Sequence, residues 1–158
     1  MLKTLLTVPL RLALPVLLML PGLSAQAAPA CFSEAQRAPL LFRAMQQDFS
    51  VASLYCPGLD PQSGVQADYE RFVLLFSDRL KSNAREIRHI FASRGKSMDR
   101  WLTATANQAS IRVTQDADFC RTAAAELRQA LGMTEAGLDA LAAAPAARQA
   151  AVPLCGKR

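Results

Sequence analysis

Between Leu40 and Cys56 the chain reads LLFRAMQQDFSVASLYC. On a helical wheel of about 100° per residue, Leu40, Leu41, Ala44, Met45, Phe49, Val51, Ala52 and Tyr55 cover more than half of the circumference, a wider apolar arc than a surface helix needs. The stretch therefore predicts a central helix with neighbours on several sides. Asp48 falls near the middle of that arc, while Arg43, Gln46, Ser50 and Ser53 share the narrow polar side. A carboxylate buried alone costs several kcal/mol, so Asp48 must be paired, hydrogen-bonded or protonated. Asn107, Gln108 and Arg121 are the partners expected to reach it, forming an internal polar cluster. The stretch ends on Cys56-Pro57-Gly58, which predicts a covalent staple at the C-terminal end of the helix.

The first residues predict export. Lys3 and Arg11 supply positive charge, Leu12 to Leu20 form a short apolar core, and Ala25-Gln26-Ala27 offers the small-x-small pattern that signal peptidase accepts. Cleavage is expected after Ala27, giving a signal peptide over 1–27. Pro9, Pro15 and Pro21 interrupt the run, which falls short of the roughly 20 apolar residues a membrane span requires. No transmembrane span is expected after cleavage. The remaining length suits one domain with one core, here a helical domain over 28–144 followed by an alanine-rich tail over 145–158. Losing Lys3 and Arg11 lowers the formal charge from +5 to +3, too little to imply nucleic acid.

Cys31, Cys56, Cys120 and Cys155 all lie beyond the cleavage point, and an even number of cysteines in an exported chain argues for two disulfides. The spacing contains neither CxxC nor CxxCH, which removes zinc-ribbon, thioredoxin-like and haem c readings. Three pairings are open. The nested one, Cys56 with Cys120 and Cys31 with Cys155, is favoured because it would tie both ends of the exported chain to its body.

The rest of the chain is patterned for helices. Ser33-Glu34-Ala35-Gln36 has the form of a capping box, and helix is expected from Ser33 or Ala38 to Tyr55. Pro57 to Gly64 reads as a loop. Tyr69, Phe72, Val73, Phe76, Leu80, Ile87, Ile90 and Phe91 predict one long amphipathic helix from Gln66 to Ser93, kinked if anywhere at Lys81-Ser82-Asn83 and stopped by Gly95. Ser97 caps a third helix that buries Met98, Trp101, Leu102, Thr105 and Ala109 and fades near Val113. Asp116 caps a fourth, Ala117 to Leu131, and Thr134 a fifth, Glu135 to Ala144. The tail is poor in large apolar groups and is expected to pack loosely, held through Cys155. The fold class is all-α, a small disulfide-stapled helical bundle of four to five helices.

Little in the sequence points to catalysis. His89 is the single histidine and faces away from the apolar stripe, beside Arg85 and Arg88, so Ser-His and Cys-His pairs and histidine metal sites have no support. No glycine-rich phosphate loop is present, and no cofactor is expected. Lys81, Arg85 and Arg88 form a basic surface at i, i+4 and i+7, diluted by Asp78 and Glu86, that would suit an acidic partner, an anionic polysaccharide or lipid head groups if it is more than a solvated face.

Four segments together resemble an uncharacterised family of small exported helical proteins of bacteria. They are Asp48-Phe49-Ser50-Val51-Ala52-Ser53-Leu54-Tyr55-Cys56, Tyr69-x-x-Phe72-Val73-x-x-Phe76, Ala106-Asn107-x-Ala109-Ser110 and Phe119-Cys120. The likeness spans Cys31 to Leu131 and leaves the tail outside. It implies a shared fold and a Cys56–Cys120 link, and brings no activity, cofactor or site. The expected role is non-catalytic, the binding of a protein partner or an envelope component. The second expectation is a carrier or sensor of a small apolar ligand lined by Phe49, Phe72, Phe76 and Trp101. An enzyme working through carboxylates around Asp48 ranks below both.

Overall fold

A computed structural model describes residues 31–156. The expected signal segment and its cleavage site after Ala27 lie outside them. Seven helices are present among the described residues: α1 Glu34–Leu59, α2 Val65–Leu75, α3 Ser77–Ser93, α4 Met98–Gln115, α5 Phe119–Leu131, α6 Glu135–Ala143 and α7 Ala146–Ala151. None is long and apolar enough to cross a membrane.

Helix α1 is the hub, in contact with all six of the others. Its start is the capping box: Ser33 Oγ accepts from the Gln36 amide and Gln36 Oε1 from the Ser33 amide, both at 3.3 Å. The helix runs through Pro39 and Pro57 to Leu59, past the expected end at Tyr55. Each proline removes one helical donor, and the Asp60 amide closes the end on the Cys56 carbonyl at 2.8 Å. Leu40, Phe42, Met45, Phe49, Ala52 and Cys56 are fully buried, whereas Tyr55, counted in the apolar arc, is 51% exposed.

The long helix expected from Gln66 to Ser93 is two helices. The break falls at Phe76 (φ −107°, ψ 24°) and not at Lys81–Asn83. On either side of it the Phe76 amide bonds the Phe72 carbonyl at 3.0 Å and the Leu80 amide the Phe76 carbonyl at 2.9 Å. The bend lets both pieces pack on α1. In α2, Phe72 meets Phe49 edge-on at 5.4 Å and Phe76 at 5.1 Å. In α3, the fully buried Asn83 donates to the Pro39 carbonyl at 2.8 Å and accepts from Arg43 Nε at 3.1 Å. A residue read as a kink point is thus a polar rivet between α1 and α3. Arg43 also holds the Leu80 carbonyl and Gln46, and Gln46 in turn donates to the Tyr69 hydroxyl. Desolvation there lowers the Arg43 pKa, with Tyr69 acting the other way.

Gly95 takes a positive φ of 58° to end α3, and Ser97 Oγ caps α4 through the Arg100 amide. α5 begins at Phe119 rather than Ala117, because the Asp116 carboxylate is used to hold the Asp118 amide in the turn before it.

The tail departs most from expectation. It is packed, not loose, and contains α7. Two disulfides, Cys31–Cys155 and Cys56–Cys120, form the nested arrangement. Beside the first, Phe32 and Leu154 make an isolated parallel bridge, with the Phe32 amide on the Pro153 carbonyl at 2.8 Å and the Cys155 amide on the Phe32 carbonyl at 3.0 Å. Arg94 lies over the Phe32 ring and donates to the Cys31 carbonyl at 2.7 Å, while Arg37 Nε holds the Val152 carbonyl at 3.0 Å. The count of four to five helices is exceeded because Phe76 divides one segment and the tail supplies another. Replacing Asn83 with Ala removes two buried hydrogen bonds, and urea unfolding is expected to show a loss of about 1–3 kcal/mol. Asn107→Ala, on an exposed face, is expected to stay within about 0.5 kcal/mol; equal effects would contradict the rivet.

Candidate functional site

Asp48 lies on the buried face of α1 and is 6% exposed. Two guanidinium groups hold its carboxylate. Arg112, from the last turn of α4, donates to Oδ1, and Arg148, from α7, donates through Nε to Oδ2 at 2.8 Å. Arg148 is itself 3% exposed and uses all three of its nitrogens: Nη1 donates to the Leu141 carbonyl at 3.2 Å and Nη2 to the Glu126 carboxylate on α5. Two cations and two anions from four helices thus close into a neutral cluster. It borders a cavity of about 140 Å³ between α5 and α7.

The partners foreseen for Asp48 are elsewhere. Asn107 and Gln108 are exposed on α4, and Arg121 is exposed and paired with Asp118 at 2.6 Å. The signal for Arg112 was present in the sequence, because it follows Thr105 and Ala109 at i+7 and i+3 on the buried stripe of α4. No comparable signal marked Arg148 or Glu126. An alanine-rich tail gives no apolar period from which to infer that one of its arginines faces inward.

A general base needs a carboxylate free to take a proton from a bound molecule. Asp48 faces permanent cations on both oxygens, and Glu126 is held by Arg148. The arrangement suits anchoring better than proton transfer. Among the described residues no group of three or more histidine, cysteine or acidic side chains is gathered as metal ligands would be.

The aromatic residues expected to line a ligand space pack on one another: Phe49 on Phe72, Phe72 on Phe76, and Trp101 on Phe91 at 5.5 Å. On α3, Lys81, Arg85, Arg88 and His89 are exposed, and Lys81 is paired with Asp78 at 3.1 Å. The basic surface exists as a solvated helix face.

A second site was not foreseen. A cleft of about 560 Å³ opens between the 60–63 turn, the end of α4 and one face of α5. Its apolar lining is Leu59, Val113, Ala124 and the Cys120 half of a disulfide, and Asp60, Asp116, Arg121 and Arg128 bring charge to it. Asp60 Oδ1 accepts from the Gln62 amide, and Gly64, at a φ of 67°, turns the chain into α2. Ser63 Oγ is buried in the wall without a partner, and Arg128 reaches the Ser63 carbonyl at 3.4 Å. Leu59 is 72% exposed; Leu54 and Tyr55, a turn earlier on α1, are 76% and 51% exposed.

No family model, no curated protein and no solved structure matches the chain.

Replacing Asp48 with Asn leaves two buried or half-buried guanidinium groups short of their counter-charge. The expected loss of stability is about 3–5 kcal/mol by denaturant unfolding, against less than about 0.5 kcal/mol for the exposed Glu86→Gln. Comparable small effects for both would contradict the burial of the cluster.

Proposed function

We propose that the chain is an exported, non-catalytic helical protein that binds a protein partner or another envelope component. One observation supports this over the other readings: large apolar side chains stand in solvent at the end of α1, where Leu54 and Leu59 are 76% and 72% exposed and Leu59 lines an open cleft. Large exposed apolar groups next to a concave surface are characteristic of places where something else binds. Two disulfides favour an oxidising compartment, in line with the leader-like first 27 residues.

The alternative is a carrier or sensor of a small apolar ligand between helices. It would require the mutual packing of Phe49, Phe72 and Phe76 to open. An enzymatic role finds less support, since the buried carboxylates are neutralised where they stand.

The test is affinity capture from a detergent-solubilised envelope fraction, using the oxidised protein purified from the medium or periplasm. Intact mass is expected to place its first residue at Ala28. A specific species should be retained by the native protein and lost with Leu54→Ser/Leu59→Ser at unchanged melting temperature. Capture that is indifferent to the double replacement would overturn the reading. A small molecule released on denaturing the purified protein would favour the carrier.

A further inference from the structure

We infer that the outer face of α2 and α3 is a docking surface for an anionic lipid membrane, with Leu74 and Leu75 entering the acyl boundary and Lys81, Arg85 and Arg88 lying among the head groups. The inference deepens the binding role proposed above by naming one envelope component, and it uses side chains other than Leu54 and Leu59.

α2 and α3 turn these side chains the same way. On α1, the Pro39 carbonyl and Arg43 hold Asn83, Gln46 holds Tyr69, and Phe49 packs on Phe72. These four residues of α1 follow one another at steps of four, three and three, so they form one stripe, and α2 and α3 both lie along it. Side chains opposite the buried ones therefore point away from the body. Leu74 comes two residues after the buried Phe72, Lys81 and Arg85 stand two residues either side of the buried Asn83, and Arg88 stands two before the buried Ile90. Two residues are about 200° of helix, which puts all four on the outer side. All four are exposed.

Positive charge is concentrated here. Residues 79–100 hold seven basic and two acidic side chains, whereas the other described residues hold seven basic and eleven acidic ones. Lys81, Arg85, Arg88, Lys96 and Arg100 are exposed. Elsewhere arginines are used within the fold, Arg43 on Asn83, Arg79 on Asp139, and Arg112 and Arg148 on Asp48. Lys81 is bridged to Asp78 at 3.1 Å, but among the described residues Arg85 and Arg88 have no ion-pair partner. Glu86 dilutes the face little, because it lies on the flank, about 140° from Lys81 and about 160° from Arg88. A face of one sign is drawn to an anionic surface.

The leucines select the kind of anion. Leu74 is 78% exposed, more than any other large apolar side chain among the described residues, and Leu75 is 56% exposed. A soluble polyanion would satisfy the cations and leave both leucines in water. A protein partner would need an apolar recess and acidic groups at a matched separation. An anionic bilayer supplies both without matching: a helix lying in its interface sinks apolar groups to the acyl boundary while lysine and arginine stay with the phosphates.

The experiment is flotation of the oxidised protein with vesicles of equal parts phosphatidylglycerol and phosphatidylcholine, and with vesicles of phosphatidylcholine alone. At low salt the anionic vesicles should bind about ten-fold or more tightly than the neutral ones, and high salt should remove the difference. Lys81→Gln/Arg85→Gln/Arg88→Gln should weaken binding to anionic vesicles about twenty-five-fold or more, each unpaired cation near such a surface being worth roughly five-fold. The charge-keeping Lys81→Arg/Arg85→Lys/Arg88→Lys should stay within about two-fold of the native protein. Leu74→Ser/Leu75→Ser should weaken binding about ten-fold, the loss expected when roughly one leucine side chain is no longer buried. Every substituted position is exposed, so the variants are expected to fold, and matched melting temperatures check this.

Equal binding to neutral and anionic vesicles, indifference to the glutamine or the serine replacements, loss with the charge-keeping set, or absence of binding would each overturn the inference. Absence of vesicle binding with envelope capture that depends on Arg85 and Arg88 would assign the face to an acidic macromolecule instead. Failure here is separable from failure of the binding role. If vesicles do not bind while capture is lost with Leu54→Ser/Leu59→Ser, the membrane inference falls and the binding role stands. If vesicles bind as described while capture is indifferent to those leucines, the reading built on the end of α1 falls and the membrane face stands.

Discussion

Everything in this fold leans on the contact between Asp48 and Arg148, a buried ion pair that joins the middle of α1 to a short helix 100 residues further along the chain. Its physical logic is that of compulsion. Neither charge can remain in the interior unpaired, so α7 must dock where Asp48 is, and α4 and α5 must present Arg112 and Glu126 beside it. Apolar contacts alone would specify this less sharply, because α7 is alanine-rich and offers few large side chains with which to choose one seat over another. A charge cluster drawn from four helices would favour one seat for the six-residue α7 over others.

The covalent links act at the two sides of that cluster. Cys56–Cys120 pins the end of α1 to the start of α5, the helix that carries Glu126, and Cys31–Cys155 closes the chain just beyond α7. In the loop-entropy picture such long closures remove several kcal/mol of unfolded-state freedom. The second also works with local geometry: Phe32 bridges Leu154, and Arg94 and Arg37 hold the carbonyls of Cys31 and Val152. What the sequence suggests is a tail on a tether is instead an integral layer of the molecule.

The legible parts of the sequence were those where periodicity carries the information. The central position of α1, the all-helical class, the ends at Ser33, Gly95 and Ser97, and the abnormal position of Asp48 all follow from apolar spacing and capping chemistry. Three features were not legible, each for a physical reason. The division at Phe76 falls on an apolar residue of the stripe, with neither glycine nor proline from 71 to 80 to mark it. Arg148, the one buried residue of α7, is held by charge rather than by an apolar period. The cleft is made where a turn, a helix end and a helix face meet, and no single segment encodes that meeting. Tyr55 shows the converse error: a wheel counts it as apolar and inward, and it stands in solvent beside Leu54.

The division of labour that results is an internally neutralised body that leaves Leu54 and Leu59 exposed at the end of α1. That division depends on the Asp48–Arg148 pair being a strong, desolvated coupling and not a surface contact. A double-mutant cycle with Asp48→Ala, Arg148→Ala and both together, read by urea unfolding at low and high salt, measures this directly. The account predicts a coupling of about 1–3 kcal/mol that survives added salt. Additivity of the two single effects to within about 0.5 kcal/mol would contradict it.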